Sequence, residues 1–254
     1  MLEKPGMKRI RQLAQALAAS ALLLAATQAS AAEVSSGSAA GSLILDELQA
    51  TVVFGSVSPA PDGVIVNGAT SVTAGADGVV DGDFALDLSS ALTASAASTS
   101  ASASSSGSNG LMAASVTAGF PGRARAESMK SGQIDFIGSG LLVVQVPYSL
   151  QVDLSVLADD TSFVRAEVGL NAFKLGSTAQ YSSMAVLLFD IGSGPGSNAS
   201  NGFLSLAIPF ADGDQFTVIA GVTAEIATTL VPVPPALLLF GSGLVAVFAR
   251  RRVR

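Results

Sequence analysis

Residues 143–156 read VVQVPYSLQVDLSV. Val144, Val146, Tyr148, Leu150, Val152, Leu154 and Val156 alternate there with Gln145, Ser149, Gln151, Asp153 and Ser155. Successive side chains of an extended chain point to opposite faces, so this period of two predicts a strand with one buried and one wet face. The pattern recurs downstream in FVRAEVGLNAFKL, residues 163–175, where Val164, Ala166, Val168, Leu170 and Ala172 oppose Arg165, Glu167 and Asn171. Two further runs, 203–210 and 216–226, flank the turn-forming ADGDQ at 211–215 as in a hairpin, with Phe216, Val218, Ala220, Val222, Ala224 and Ile226 on one face. Half-buried strands in series, punctuated by Gly, Asp and Ser, predict an all-β domain of antiparallel sheets stacked as a β-sandwich or jelly roll.

One stretch departs from that pattern. SSALTASAASTSASASSSGSN, residues 89–109, is low-complexity Ser/Ala with little apolar surface to bury. It is expected to be a mobile insertion at 89–110 within a single exported domain, 32–230. A strand pair with small side chains is the other reading.

Charge and composition narrow the chemistry. Basic residues cluster at the two ends, leaving Arg123, Arg125, Lys130, Arg165 and Lys174 against eighteen acids between, a net charge of −13 for that middle and −6 for the whole chain. Nucleic-acid binding, which requires clustered Lys and Arg, is not expected. The chain has neither cysteine nor histidine. Disulfides, thiolate metal sites, cysteine nucleophiles and imidazole bases are therefore excluded.

Both ends read as processing signals. Lys4, Lys8, Arg9 and Arg11 precede LAQALAASALLLAA, a 14-residue apolar run at 13–26. That length suits the apolar region of a signal helix and is too short to span a bilayer. Ala29-Ser30-Ala31 satisfies the small-x-small cleavage rule, which sets residues 1–31 as signal peptide and Ala32 as the mature start, with Ser30 as the alternative start. The secretory translocon and signal peptidase are the implied partners.

At the other end VPVPP, residues 231–235, precedes ALLLFGSGLVAVFA and the cluster Arg250, Arg251, Arg252 and Arg254. The prolines hold the chain extended, and Pro235 can occupy the first position of a transmembrane helix. A helix from there to Ala249 is about 22 Å long, somewhat short of the roughly 30 Å hydrocarbon core, and the arginines snorkel to make up part of the difference. The positive-inside rule places those arginines in the cytoplasm and the preceding domain outside the membrane.

This order of proline motif, short apolar helix with a Gly-Ser-Gly step and terminal arginine cluster resembles the PEP-CTERM sorting signal, most closely its VPLPA-type variant. The likeness covers residues 231–254. Val231, Pro232, Val233 and Pro234 match the recognition motif, while Pro235 stands where the variant usually carries alanine. The resemblance implies processing by an exosortase, a membrane-embedded cysteine transpeptidase, and a destination at the cell surface or in the biofilm matrix. A single-pass anchor without cleavage uses the same helix and arginines.

Candidate chemistry in the body is sparse. ADGVVDGDF places Asp77, Asp81 and Asp83 among glycines, with Asp212 and Asp214 in the later loop; such loops can supply oxygen ligands to calcium, though the spacing is not that of an EF-hand. Turn formation is the simpler expectation. Asp159-Asp160 reads as a polar turn, since adjacent strand residues point to opposite faces and do not flank one glycosidic bond. Asn198-Ala199-Ser200 reads as a loop, and Tyr148 and Phe173 as core or strand-packing residues. No cofactor is indicated. The expected function is a noncatalytic exported surface or exopolysaccharide-matrix protein; the alternative is a polysaccharide- or calcium-binding module on an uncleaved anchor.

Overall fold

The structure, a computed structural model, describes residues 36–58, 68–87, 89–108, 110–119, 121–155, 162–190 and 196–228. The signal segment 1–31, the sorting segment 231–254, Val156 and Asp159-Asp160 lie outside the described residues. Among the described residues no helix is long and apolar enough to cross a membrane.

The described body is all-β, as the alternation predicts. Its strands are β1 (Ser36–Ile44), β2 (Gln49–Val53), β3 (Ser56–Ser58), β4 (Gly68–Ala76), β5 (Val79–Ala85), β6 (Leu92–Ala97), β7 (Ala101–Gly107), β8 (Leu111–Ala118), β9 (Gly122–Ile137), β10 (Gly140–Ser155), β11 (Phe163–Lys174), β12 (Gln180–Asp190), β13 (Gly196–Phe210) and β14 (Gln215–Thr228). They form two antiparallel sheets of seven strands, an arrangement that fits a β-sandwich. Sheet A runs β13-β10-β1-β8-β7-β6 with β2 also on β10; sheet B runs β12-β11-β14-β9-β4-β5 with β3 also on β9.

The 16-residue strands β9 and β10 form the spine. Between them the chain turns through Gly138, φ 77°, and passes from sheet B to sheet A. β1 covers β10 from Tyr148 to Ser155 and β2 covers it from Leu141 to Gln145, so Val146 and Pro147 have no ladder partner on that flank. The Leu45–Glu47 3-10 turn occupies the interruption between β1 and β2. A central strand tolerates proline here because no cross-strand bond is demanded of it.

Val144, Val146, Leu150, Val152 and Leu154 are buried against Val164, Ala166, Val168, Leu170 and Ala172 and the even-numbered apolar residues of β14 in one core. Phe136, Phe210 and Phe216 cluster there, the Phe136 ring centroid lying 4.2 Å from Phe210 and 5.3 Å from Phe216, the latter edge-on.

The Ser/Ala tract corrects its first reading. It forms β6 and β7, an antiparallel pair continued onto β8, instead of a mobile insertion. Ala94, Ala96, Ala101 and Ala103 point inward and are buried, while Ser95, Ser102 and Ser104 point outward. Alanine alone contributes little apolar area. The facing Val72 and Ala74 of β4 and the neighbouring Met112 and Val116 of β8 complete the layer. Ser105 Oγ turns inward and donates to the Thr73 carbonyl, 2.9 Å away, tying β7 of one sheet to β4 of the other. Asn198-Ala199-Ser200 is also strand rather than loop, within β13.

Candidate functional site

Asp77 and Gly78 make the two-residue turn between β4 and β5, with φ of 45° and 88°. Both residues sit at positive φ, which an Asp-Gly pair accommodates better than most. The Asp77 carboxylate is then occupied: Oδ2 accepts from Ser98 Oγ at 2.6 Å and Ser100 Oγ at 2.7 Å, and Oδ1 from the Arg123 N–H at 2.7 Å. Those three donors, the serine hydroxyls foremost, hold its pKa below the ordinary carboxylate value. One side chain thereby stitches the β4–β5 turn, the β6–β7 turn and the start of β9 together.

The other calcium candidates do not join it. Asp81 Oδ2 accepts the Ser95 N–H of β6 at 2.8 Å, and Asp83 Oδ1 accepts the Phe84 N–H at 2.8 Å. Asp212 Oδ1 accepts the Gly138 N–H at 2.6 Å, and Asp214 pairs with Lys174 at 2.7 Å. The lysine beside it lowers the Asp214 pKa. Among the described residues no three acidic side chains converge as a metal site would require.

A second feature is the outer face of sheet A. Its cross-strand rows are dominated by short polar side chains: Ser95, Ser104 and Ser115 align across β6, β7 and β8 and continue to Ala40 and Gln151. A second row runs Ala97, Ser102, Thr117, Ser38 and Asp153. Ser104 and Ser115 share a hydrogen bond of 2.7 Å, as do Ser102 and Thr117, and Ser36 meets Ser155 at 2.6 Å. Such pairs fix the hydroxyls in register. Asp153 is the one charged residue at outward positions of the described sheet A strands. Low-complexity composition concealed this face, and the signal that could have revealed it is the Ala/Ser alternation of residues 101–104.

Sheet B presents a different exterior. Arg125 pairs with Glu127 at 3.2 Å and Arg165 with Glu167, each two residues along one strand. Tyr148 is part-buried with its hydroxyl 3.3 Å from Ser200 Oγ, consistent with strand packing. Phe173 instead lies on the outer face and is exposed, because it falls out of phase with the buried Ala172. Sequence reasoning also passed over Phe54, which is 81% exposed at a φ of 65° on the corner where the chain crosses from β2 to β3. A bulky residue at positive φ stores roughly 1–3 kcal/mol of strain.

No protein-family model, curated protein or solved structure matches the chain.

Proposed function

We propose that this chain is a noncatalytic exported surface or matrix protein whose sheet A face rests against an uncharged, hydroxyl-bearing polymer such as exopolysaccharide. The observation that carries this reading is a broad, hydroxyl-rich plane with a single charge, Asp153, on a body whose net charge is −13. A plane of short side chains lets an extended polymer approach closely, and serine and threonine hydroxyls both donate and accept toward sugar hydroxyls. The acidic remainder keeps the body soluble.

Export and handling follow from the termini. Residues 1–31 act as a cleaved signal helix, and the residues 231–254 hold the chain in the inner membrane until an exosortase-type transpeptidase cuts near Val231–Pro235. The resemblance of VPVPPALLLFGSGLVAVFARRR to PEP-CTERM signals supports that route.

The test compares strains with and without the processing enzyme. In the enzyme-positive strain, mass spectrometry should find surface protein that has lost the tail and ends near VPVPP, and that protein should remain on the strain's own polysaccharide. Charging the plane with Ser104→Glu and Ser115→Glu should abolish that retention without lowering export. An intact Arg254 end in the enzyme-positive strain would sink the sorting claim. Undiminished retention of the double variant would sink the contact face.

A further inference from the structure

The four outer strands of the two sheets differ in how they are protected. Unpaired backbone on an exposed edge is a template for another strand, and proteins normally blunt it with charge, proline or a covering side chain. β5 carries Asp81 and Asp83 on its core-side face, and Asp81 takes the Ser95 N–H of the β6 edge. On the opposite side of the sandwich, β13 contains Pro209, and the Ser205 N–H is taken by Ser183 Oγ of β12 at 3.1 Å. Among the described residues β12 has none of these devices before its last residue, Asp190. From Gln180 to Phe189 it reads QYSSMAVLLF, without a charge, a glycine or a proline.

Beyond the exposed Gln180 and Ser182, its outward face is apolar as well. Met184 is 63% exposed, Leu188 53% and Val186 39%. β13, on the same side, has no charged residue from Gly196 to Phe210. For a body of net charge −13, most of the surface repels a second copy, and this side brings no carboxylate to the encounter between residues 180 and 189.

We propose that β12 is a self-association edge, two copies pairing their β12 strands antiparallel across a two-fold axis so that sheet B continues from one copy into the next. The register that centres the 11-residue strand on Ala185 is self-complementary. Met184 then faces the other copy's Val186, Ser182 its Leu188, and Tyr181 its Phe189, while Ala185 faces itself at the axis. Asp190, at the strand's end, falls opposite Gln180, so no two carboxylates oppose one another. Residues directly opposed in an antiparallel pair contribute the pairing energy, and aromatic with aliphatic or aromatic partners are the favoured combinations. An isologous contact of this kind closes at two copies. An 11-residue pairing supplies about ten backbone hydrogen bonds, comparable to the number in a typical specific interface.

The chain has no cysteine, which makes the register directly testable. Opposed Cα atoms in an antiparallel pair lie about 4.5–5.5 Å apart, inside the range a disulfide bridges. Full-length chain carrying Ala185→Cys should therefore oxidise to a covalent dimer, whereas Val80→Cys on the β5 edge should remain monomeric. Adding Met184→Asp and Val186→Asp to Ala185→Cys places carboxylates opposite one another and should eliminate the cross-link. Because both positions are solvent-facing, the thermal melt of that variant should stay cooperative, showing that folding is intact. Equal cross-linking at residues 80 and 185, no cross-link at 185 in folded protein, or a dimer that survives the paired aspartates would each overturn the proposal.

Discussion

Asp77 illustrates what one residue contributes. Its carboxylate accepts from two serine hydroxyls and a backbone N–H, and these bonds favour the ionised form. With the folded pKa depressed below the ordinary 3.8, its contribution to stability is fully present above that value and is lost as pH falls through the folded pKa. Asp77→Asn should lower the melting temperature at neutral pH, and the difference from the parent chain should shrink on acidification below about pH 4. Melting curves at a series of pH values check this, and a constant difference across that window would contradict the role assigned to the charge. The Asp-Gly pair announced a turn in the sequence. That Ser98, Ser100 and Arg123 would fill the carboxylate's bonding capacity was invisible, because they lie 21, 23 and 46 residues away.

At the scale of elements, β1 shows how side-chain size sets the spacing of the sheets. Its inward positions include Gly37 and Gly41 beside Ala39 and Leu43. A Cβ at Gly41 would lie 3.0 Å from Val222 Cγ1 and 3.2 Å from Leu150 Cδ2, so β1 comes close to large residues on sheet B and on its own neighbour β10. Gly41→Val should overpack this contact and destabilise the chain by about 1–3 kcal/mol, measured by urea unfolding. A neutral effect would mean that the sheets yield more readily than a close-packed core allows. The same principle explains β6 and β7. Their alternation was present in ASAS, yet alanine and serine differ so little in apolar area that periodicity alone left strand and insertion open. The adjoining Met112, Val116 and Val72 decide the matter.

The whole molecule is assembled from distant segments. β1 pairs with β8 and with β10, and Ser36 sits opposite Ser155; β4 and β14, separated by most of the body, flank β9. Closing such loops precedes the contacts that offset their entropy, which slows folding. Refolding from urea should therefore take about milliseconds to seconds or longer, with intermediates expected at this chain length. Stopped-flow fluorescence of Tyr148 and Tyr181 provides the measurement, and complete sub-millisecond refolding would conflict with this topology.

By itself the sequence determined which residues lie inside, because a two-residue alternation assigns faces whatever the partner strand: Val144 to Leu154, with Tyr148 only part-buried, Val164 to Ala172 and Phe216 to Ile226 are buried where the pattern put them. It also determined a cysteine-free, acidic body. Tertiary structure decided the strand order, the role of the Ser/Ala tract and the hydroxyl plane across sheet A. It also decided the separate engagement of Asp77, Asp81 and Asp83, and which strands stand at the sheet edges. Local periodicity fixes the direction of a side chain, whereas register, shared faces and edge protection depend on which distant strand becomes its neighbour.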